Sequence, residues 1–359
     1  QNQVPQGQGQ HTSLGIEASQ QVMDIRLVPF NYNVPGCQSN ADVSEERIAR
    51  FYELMYQMNP VDRLELTVLD PVEWTEPLES FAPLNVHMSM MRGENDDPPH
   101  VFYFGLVNPC AGQIGGYGGL AHGIPLIPPI KEESWIRVST GIDLPDDDDW
   151  TGETFVHEVG HSQGRLHIDG GCGSAGTDPE YPYPSGELGD WGFGILDFSL
   201  RHPSVYRDFM TYCHPYWVSA WSWNKVYQVV SVLTSWINAD APNAVEPGSL
   251  LVGTFDHLGN SYWYTVPGGL GTRARSAVHR LRFVNRSGHV SVEPAAVIEL
   301  PDAAGYHIVT ELPFDVGEAT SVEHLVGAQR MTTIEPAQIQ QSHPFRAGPT
   351  TAAANERAF

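Results

Sequence analysis

Three histidines and a glutamate fall inside one short run of the chain, His157-Glu158-Val159-Gly160-His161-Ser162-Gln163-Gly164-Arg165-Leu166-His167. On an α-helix, residues four apart lie one above the other on the same face, so His157 and His161 can aim their imidazoles at one metal ion. Glu158 is rotated away from direct ligation yet stays close enough to reach a water beside that ion. Gly164 tolerates the left-handed backbone at which helices commonly end, which lets the chain turn back and deliver His167 as a third ligand. Three protein ligands and one open position make the arrangement of a catalytic zinc, whose bound water loses its proton near neutral pH. Glu158 would take that proton as the water attacks a carbonyl and pass it to a leaving amine. Each part alone is ordinary, since a single surface histidine or a helix stopped by glycine is usually structural. The joint spacing is what points to zinc.

A second signal lies downstream at Asp208-Phe209-Met210-Thr211-Tyr212-Cys213. The histidine run followed by this methionine segment resembles the metzincin clan of zinc endopeptidases. The stretches from Tyr181 to Phe193 and from Pro215 to Ser219 are similar to secreted bacterial metzincins, including the mucin-degrading kind, and more distantly to pappalysins. The resemblance covers roughly residues 100 to 236. It implies an α+β catalytic domain, a twisted mixed sheet with helices over a zinc cleft. It also implies a secreted zinc endopeptidase that hydrolyses peptide bonds, with Glu158 as general base and acid and a protein or glycoprotein as substrate. By the same resemblance Met210 forms a hydrophobic floor beneath the three histidines, and Tyr212 ligates zinc or donates to the oxyanion. For Tyr212 the plainer alternative is a core aromatic beside the turn. Two other functions stay open. One is a glycoprotein- or mucin-selective metalloprotease with sugar recognition. The other is a non-catalytic adhesin or binding module on a protease scaffold, against which the intact Glu158 counts.

Composition narrows the partners. The 359 residues can bury a sizeable core and leave room for two domains. A net charge of −24 arises from 43 acidic against 19 basic residues, and Lys131 and Lys225 are the only lysines. Such a surface repels nucleic acid and anionic membranes. The sequence has no run of eighteen apolar residues that would read as a membrane span. The start at Gln1 reads as a mature or trimmed form whose signal peptide has been removed. Four cysteines, an even number, fit disulfides in an oxidising compartment. Cys172 follows the third histidine and Cys213 follows Met210, so a bridge between them would pin the two site segments together. Cys37 and Cys110 would then pair in the N-terminal half. A free thiol that blocks the zinc in a latent form is the competing idea.

The elements that must position these residues can be read coarsely. Residues 1–22 are Gln-rich and polar and read as an unstructured leader. A strand is expected from Asp24 to Tyr32. A helix opens at Ser44, with apolar spacing through Ile48, Phe51, Met55 and Met58, and a second strand runs from Leu64 to Leu69. A further helix is expected over Leu78 to Met91, interrupted by Pro83. Strands follow at Val101 to Val107 and Trp135 to Ile142, just before the zinc helix. This alternation calls for a mostly parallel sheet with covering helices. Between them, Ala111 to Leu120 is Gly-rich: either a rim of the cleft, with the edge near Leu120-Ala121-His122 pairing with extended substrate, or an ordinary loop.

Asp143 and the run Asp146 to Asp149 suggest calcium, but acids at a helix start are the stronger reading. Ser219 to Ile237 reads as a helix whose stripe of Trp221, Val226, Val229, Val230, Leu233 and Trp236 closes the catalytic domain, residues 23–238. After a linker marked by Pro242, Pro247 and Gly248, short alternating runs predict an all-β sandwich-like domain over residues 239–345. Its expected strands are Leu250 to Phe255, Ser261 to Val266, Val278 to Asn285, Val297 to Leu300 and Tyr306 to Leu312. Tyr262, Trp263 and Tyr264 form either core or a sugar-stacking platform, with core favoured. Residues 346–359 are expected to form a loose tail.

Overall fold

In the computed structural model, which describes residues 2–6, 10–14, 20–110, 112–237 and 248–341, a seven-stranded sheet is built on the long strand Val22–Val34. Phe102–Val107 pairs parallel to it on one side. Arg63–Val68 and Val72–Trp74 also run parallel to it, and Cys37–Asn40 turns back antiparallel. Val138–Ile142 extends the sheet parallel to Phe102–Val107, and Gly119–Ala121 closes it as an antiparallel edge. Every residue of Phe102–Val107 and Val138–Ile142 is buried, as expected of strands covered on both faces.

Helices α1 (Glu45–Met58), α3 (Asp148–Ser162) and α4 (Ala220–Ile237) share one apolar cluster with Ile25, Leu27, Phe102 and Phe104. Phe51 of α1 stacks on Phe155 of α3 with ring centroids 4.4 Å apart, so the strand core and the metal-motif helix are one packed unit. Helix α2 (Ala82–Glu94) covers the other face through Leu84 and Met88. Within α4, Val226, Val229, Val230 and Leu233 are buried as the stripe requires.

Three expectations need correction. Pro83 does not interrupt a helix: α2 begins at Ala82, and proline in a first turn removes an N–H that has no helical partner anyway. Trp135 and Ile136 belong to a 3₁₀ segment, Lys131–Ile136, and the strand begins only at Val138. In the polar leader, Asn2–Gln6 pairs antiparallel with Gln10–Leu14, where composition suggested no regular structure. The linker positions Pro242 and Pro247 and the tail at 346–359 lie outside the described residues.

The C-terminal residues form a five-stranded and a four-stranded sheet. Leu251, Trp263, Ile308, Phe283 and Val322 fill one cluster drawn from both, the interior of a sandwich. The five-stranded sheet turns its other face to the N-terminal unit, where Leu250, Tyr264 and Val309 pack with Val86 and Trp135. Tyr264 and Trp263 therefore point to opposite faces, and both are buried, which settles them as packing residues. Sequence reading missed the strands Val290–Pro294, Ala319–Val326 and Gln329–Ile334. Two disulfides, Cys37–Cys110 and Cys172–Cys213, pair all four cysteines. No helix among the described residues is long and apolar enough to cross a membrane.

Candidate metal centre

Helix α3 starts where its sequence says it should. The Asp147 side chain accepts from the Trp150 amide at 3.0 Å, and Asp148 and Asp149 sit in the first turn, where the helix dipole favours acids. Arg47 pairs with Asp148 at 3.0 Å and with the buried Asp143 at 2.9 Å, and Arg50 pairs with Asp149 at 2.7 Å. These carboxylates are engaged by a helix end and two arginines. The helix stops at Gly164, which holds φ 81°, and the Arg165 amide donates back to the Gly160 carbonyl at 3.0 Å.

That turn does more than end the helix. The Arg165 carbonyl accepts from Nδ1 of His161 at 2.7 Å. Nδ1 of His157 meets the Phe209 carbonyl at 2.9 Å, and Nδ1 of His167 meets the Ala175 carbonyl at 2.7 Å. A carbonyl only accepts, so each neutral imidazole carries its hydrogen on Nδ1 and presents a bare lone pair at Nε2. The three Nε2 atoms converge: His157 and His161 each lie 3.1 Å from His167 at this atom. Burial and the neighbouring His167 hold the His157 imidazole down at about 3, and burial, then His167, hold His161 well below the ordinary histidine value, so neither is a buried cation. Three lone pairs at this separation repel unless a cation lies among them. A zinc ion with Zn–N bonds of about 2.0–2.1 Å sets tetrahedral donors about 3.3 Å apart, so the donor set fits. This is the single three-donor cluster of histidine, cysteine or carboxylate groups among the described residues.

Glu158 is buried beside the triad, and its Oε2 has no hydrogen-bond partner. Burial, then the charge of Asp302, push its carboxyl well above the usual carboxylate range. The residue lines a cleft of about 470 Å³ with Tyr117, Gly119, Trp150, His157 and Tyr212. Among the described residues the cleft walls carry the carboxyl groups of Glu153, Glu158 and Asp302 and no lysine or arginine, a lining that favours a cation.

Met210 is fully buried, and its sulfur lies 2.6 Å from where a Cβ on Gly160 would stand, which places it against α3 in the turn that carries His157 and His161. Its amide donates to Asp208 at 2.9 Å, and its carbonyl accepts from the Ile168 amide at 3.0 Å, one residue past His167. Cys172–Cys213 ties the His167 loop to the same turn. Tyr212 is no core aromatic: it is 41% exposed, and its hydroxyl lies 3.2 Å from His167 Nε2. The edge strand Gly119–Ala121 bounds the cleft, and its Leu120 carbonyl already accepts from Asn85 at 2.8 Å. Ala111, in the same Gly-rich stretch, lies outside the described residues.

Two site residues escaped the sequence reading. Asp208, fully buried, orients the methionine turn by accepting from the Met210 and Ser219 amides. Its position two residues before Met210 was the available signal. Asp302 comes from the C-terminal unit, hydrogen-bonds Tyr212, and carried no signal at all. No family model and no curated protein matches the chain.

Proposed function

We propose that the chain is a secreted zinc-dependent endopeptidase of the metzincin kind. The observation that carries this is the convergence of three Nε2 lone pairs, each fixed by an Nδ1–H bond to a backbone carbonyl, beside a buried glutamate with an unpartnered oxygen. His157, His161 and His167 hold the ion. When bound, zinc supplies a Lewis acid that polarises a carbonyl and lowers the pKa of water. Glu158 accepts the proton of the attacking water at Oε2 and returns it to the leaving amine, a carboxyl role suited to its raised proton affinity. Burial, then Asp302, keep the Tyr212 hydroxyl protonated, so it can donate to an oxyanion once freed from its present partner. Met210 and the carbonyls of Phe209, Arg165 and Ala175 fix the imidazoles, the outer-sphere support that metal-binding histidines require. The two disulfides support export to an oxidising compartment. The test is cleavage of a denatured protein by native chain and by Glu158→Gln, each with its zinc content measured. Zinc retained and cleavage lost in the variant supports the reading; cleavage retained overturns it.

A further inference from the structure

The C-terminal sandwich reaches into the cleft at one point. Its strands Ala296–Glu299 and Gly305–Glu311 are joined by a tight turn whose ends, Leu300 and Ala304, are buried in the cluster that holds Leu120 and Ile142 of the N-terminal sheet. The turn is thus anchored on both sides of its tip. Asp302 at φ 58° and Ala303 at φ 55° both occupy the left-handed region that non-glycine residues avoid. The Asp302 side chain is only 8% exposed. Its Oδ1 accepts from the Tyr212 hydroxyl and lies 3.4 Å from His167 Nε2, on the rim of the three-nitrogen cluster.

A hydroxyl has one proton to give. While Tyr212 donates to Asp302, it cannot donate to a developing oxyanion, and Oδ1 stands at the spot from which a substrate carbonyl would receive that bond. A carboxylate there also resembles the acid left when a peptide bond is cut. Among the described residues, no lysine or arginine lines the cleft to hold Asp302 in some other role.

We propose that Asp302 is a built-in carboxylate plug of the metal centre: the tip of the 300–304 turn occupies the substrate-facing side of the site, ties up Tyr212, and must be displaced before a peptide binds. The proposal rests on the metallopeptidase reading above. It makes the C-terminal unit part of the site rather than an appendage, and movement of that unit or a cut in its turn the activating event.

Acetohydroxamate, a small chelator of open metal positions, serves as the probe. Its affinity for the zinc-loaded full chain is measured by calorimetry for native protein, Asp302→Gly and Asp302→Asn. Glycine suits the observed φ, and asparagine preserves shape if the glycine variant folds poorly. Losing one charge-assisted bond predicts about ten- to hundredfold tighter binding for Asp302→Gly, a smaller gain for Asp302→Asn, and higher peptide turnover in both. Equal or weaker hydroxamate binding in both variants, with one zinc still bound per chain, overturns the plug and leaves the peptidase reading intact. Absence of stoichiometric zinc in the native chain overturns both.

Discussion

The two disulfides offer a sharp separation between stabilising the chain and building its site. Cys172–Cys213 closes a sequence separation of 41 residues and Cys37–Cys110 one of 73. In the chain-entropy model either bridge contributes about 4 kcal/mol at 25 °C, the longer loop only about 0.5 kcal/mol more. Serine pairs at either bridge should therefore lower unfolding free energy by similar amounts in urea titrations of metal-free protein. Their effect on the metal should differ. Cys172–Cys213 joins the loop that supplies His167 and its Ala175 carbonyl partner to the turn that supplies Met210 and the Phe209 carbonyl. Cys37–Cys110 instead joins the strand Cys37–Asn40 to the segment after Phe102–Val107, neither of which carries one of the three histidines. Loosening the support of a metal-bound imidazole costs about ten- to hundredfold in affinity. Competition with a chromophoric chelator should show that loss for Cys172→Ser/Cys213→Ser and none for Cys37→Ser/Cys110→Ser. Equal zinc affinity in the two double variants would refute the claim that the first bridge organises the site.

Glu158→Gln should keep one zinc per chain and lower peptide turnover by about a hundred- to ten-thousandfold, the usual span for a lost general base. Gly119→Ala should act on the same residue from outside, because a Cβ there would stand 2.6 Å from Glu158 Cγ. Turnover should fall by up to about a hundredfold with metal content unchanged, and unchanged kinetics would show that Glu158 has room to shift. Acid should destabilise the contact between the two units. His307 is buried, its Nε2–H donating to the His122 carbonyl and its Nδ1 accepting from the Thr254 hydroxyl, and burial lowers it to about 4. The unfolded chain binds this proton near pH 6.5 and the folded chain does not, so stability is full above 6.5 and falls as pH drops toward 4, by about 3 kcal/mol for this residue. His307→Gln should flatten that part of the pH–stability curve of metal-free protein, and an unaltered slope would assign the loss to other groups.

What the sequence made legible and what it hid divide along physical lines. The convergence of His157, His161 and His167, the stop at Gly164 and the capping acids of α3 are local, set by spacing and backbone preference within one helix and one turn, so they could be read directly. Pro83 was misread because the same residue that breaks a helix interior suits a first turn, and only the position of the start distinguishes them. Trp135 and Ile136 looked like a strand because they are buried and apolar, yet their burial comes from α2 and the sandwich rather than from a sheet. Val290–Pro294 was missed because it alternates exposed and half-buried positions at a sheet edge, leaving little apolar contrast. Asp302 was illegible for a different reason: it reaches the cleft only through the packing of the C-terminal sandwich against the N-terminal sheet, and a lone acid in a Pro-Asp-Ala turn has no motif.

The central claim is that three histidines form one metal centre. It is tested most directly by counting zinc per chain by mass spectrometry after gel filtration, for native protein and for His157→Ala, His161→Ala and His167→Ala. The account predicts one zinc in the native chain and its loss in each variant. No zinc in the native chain, or full zinc in any one of the three, contradicts it.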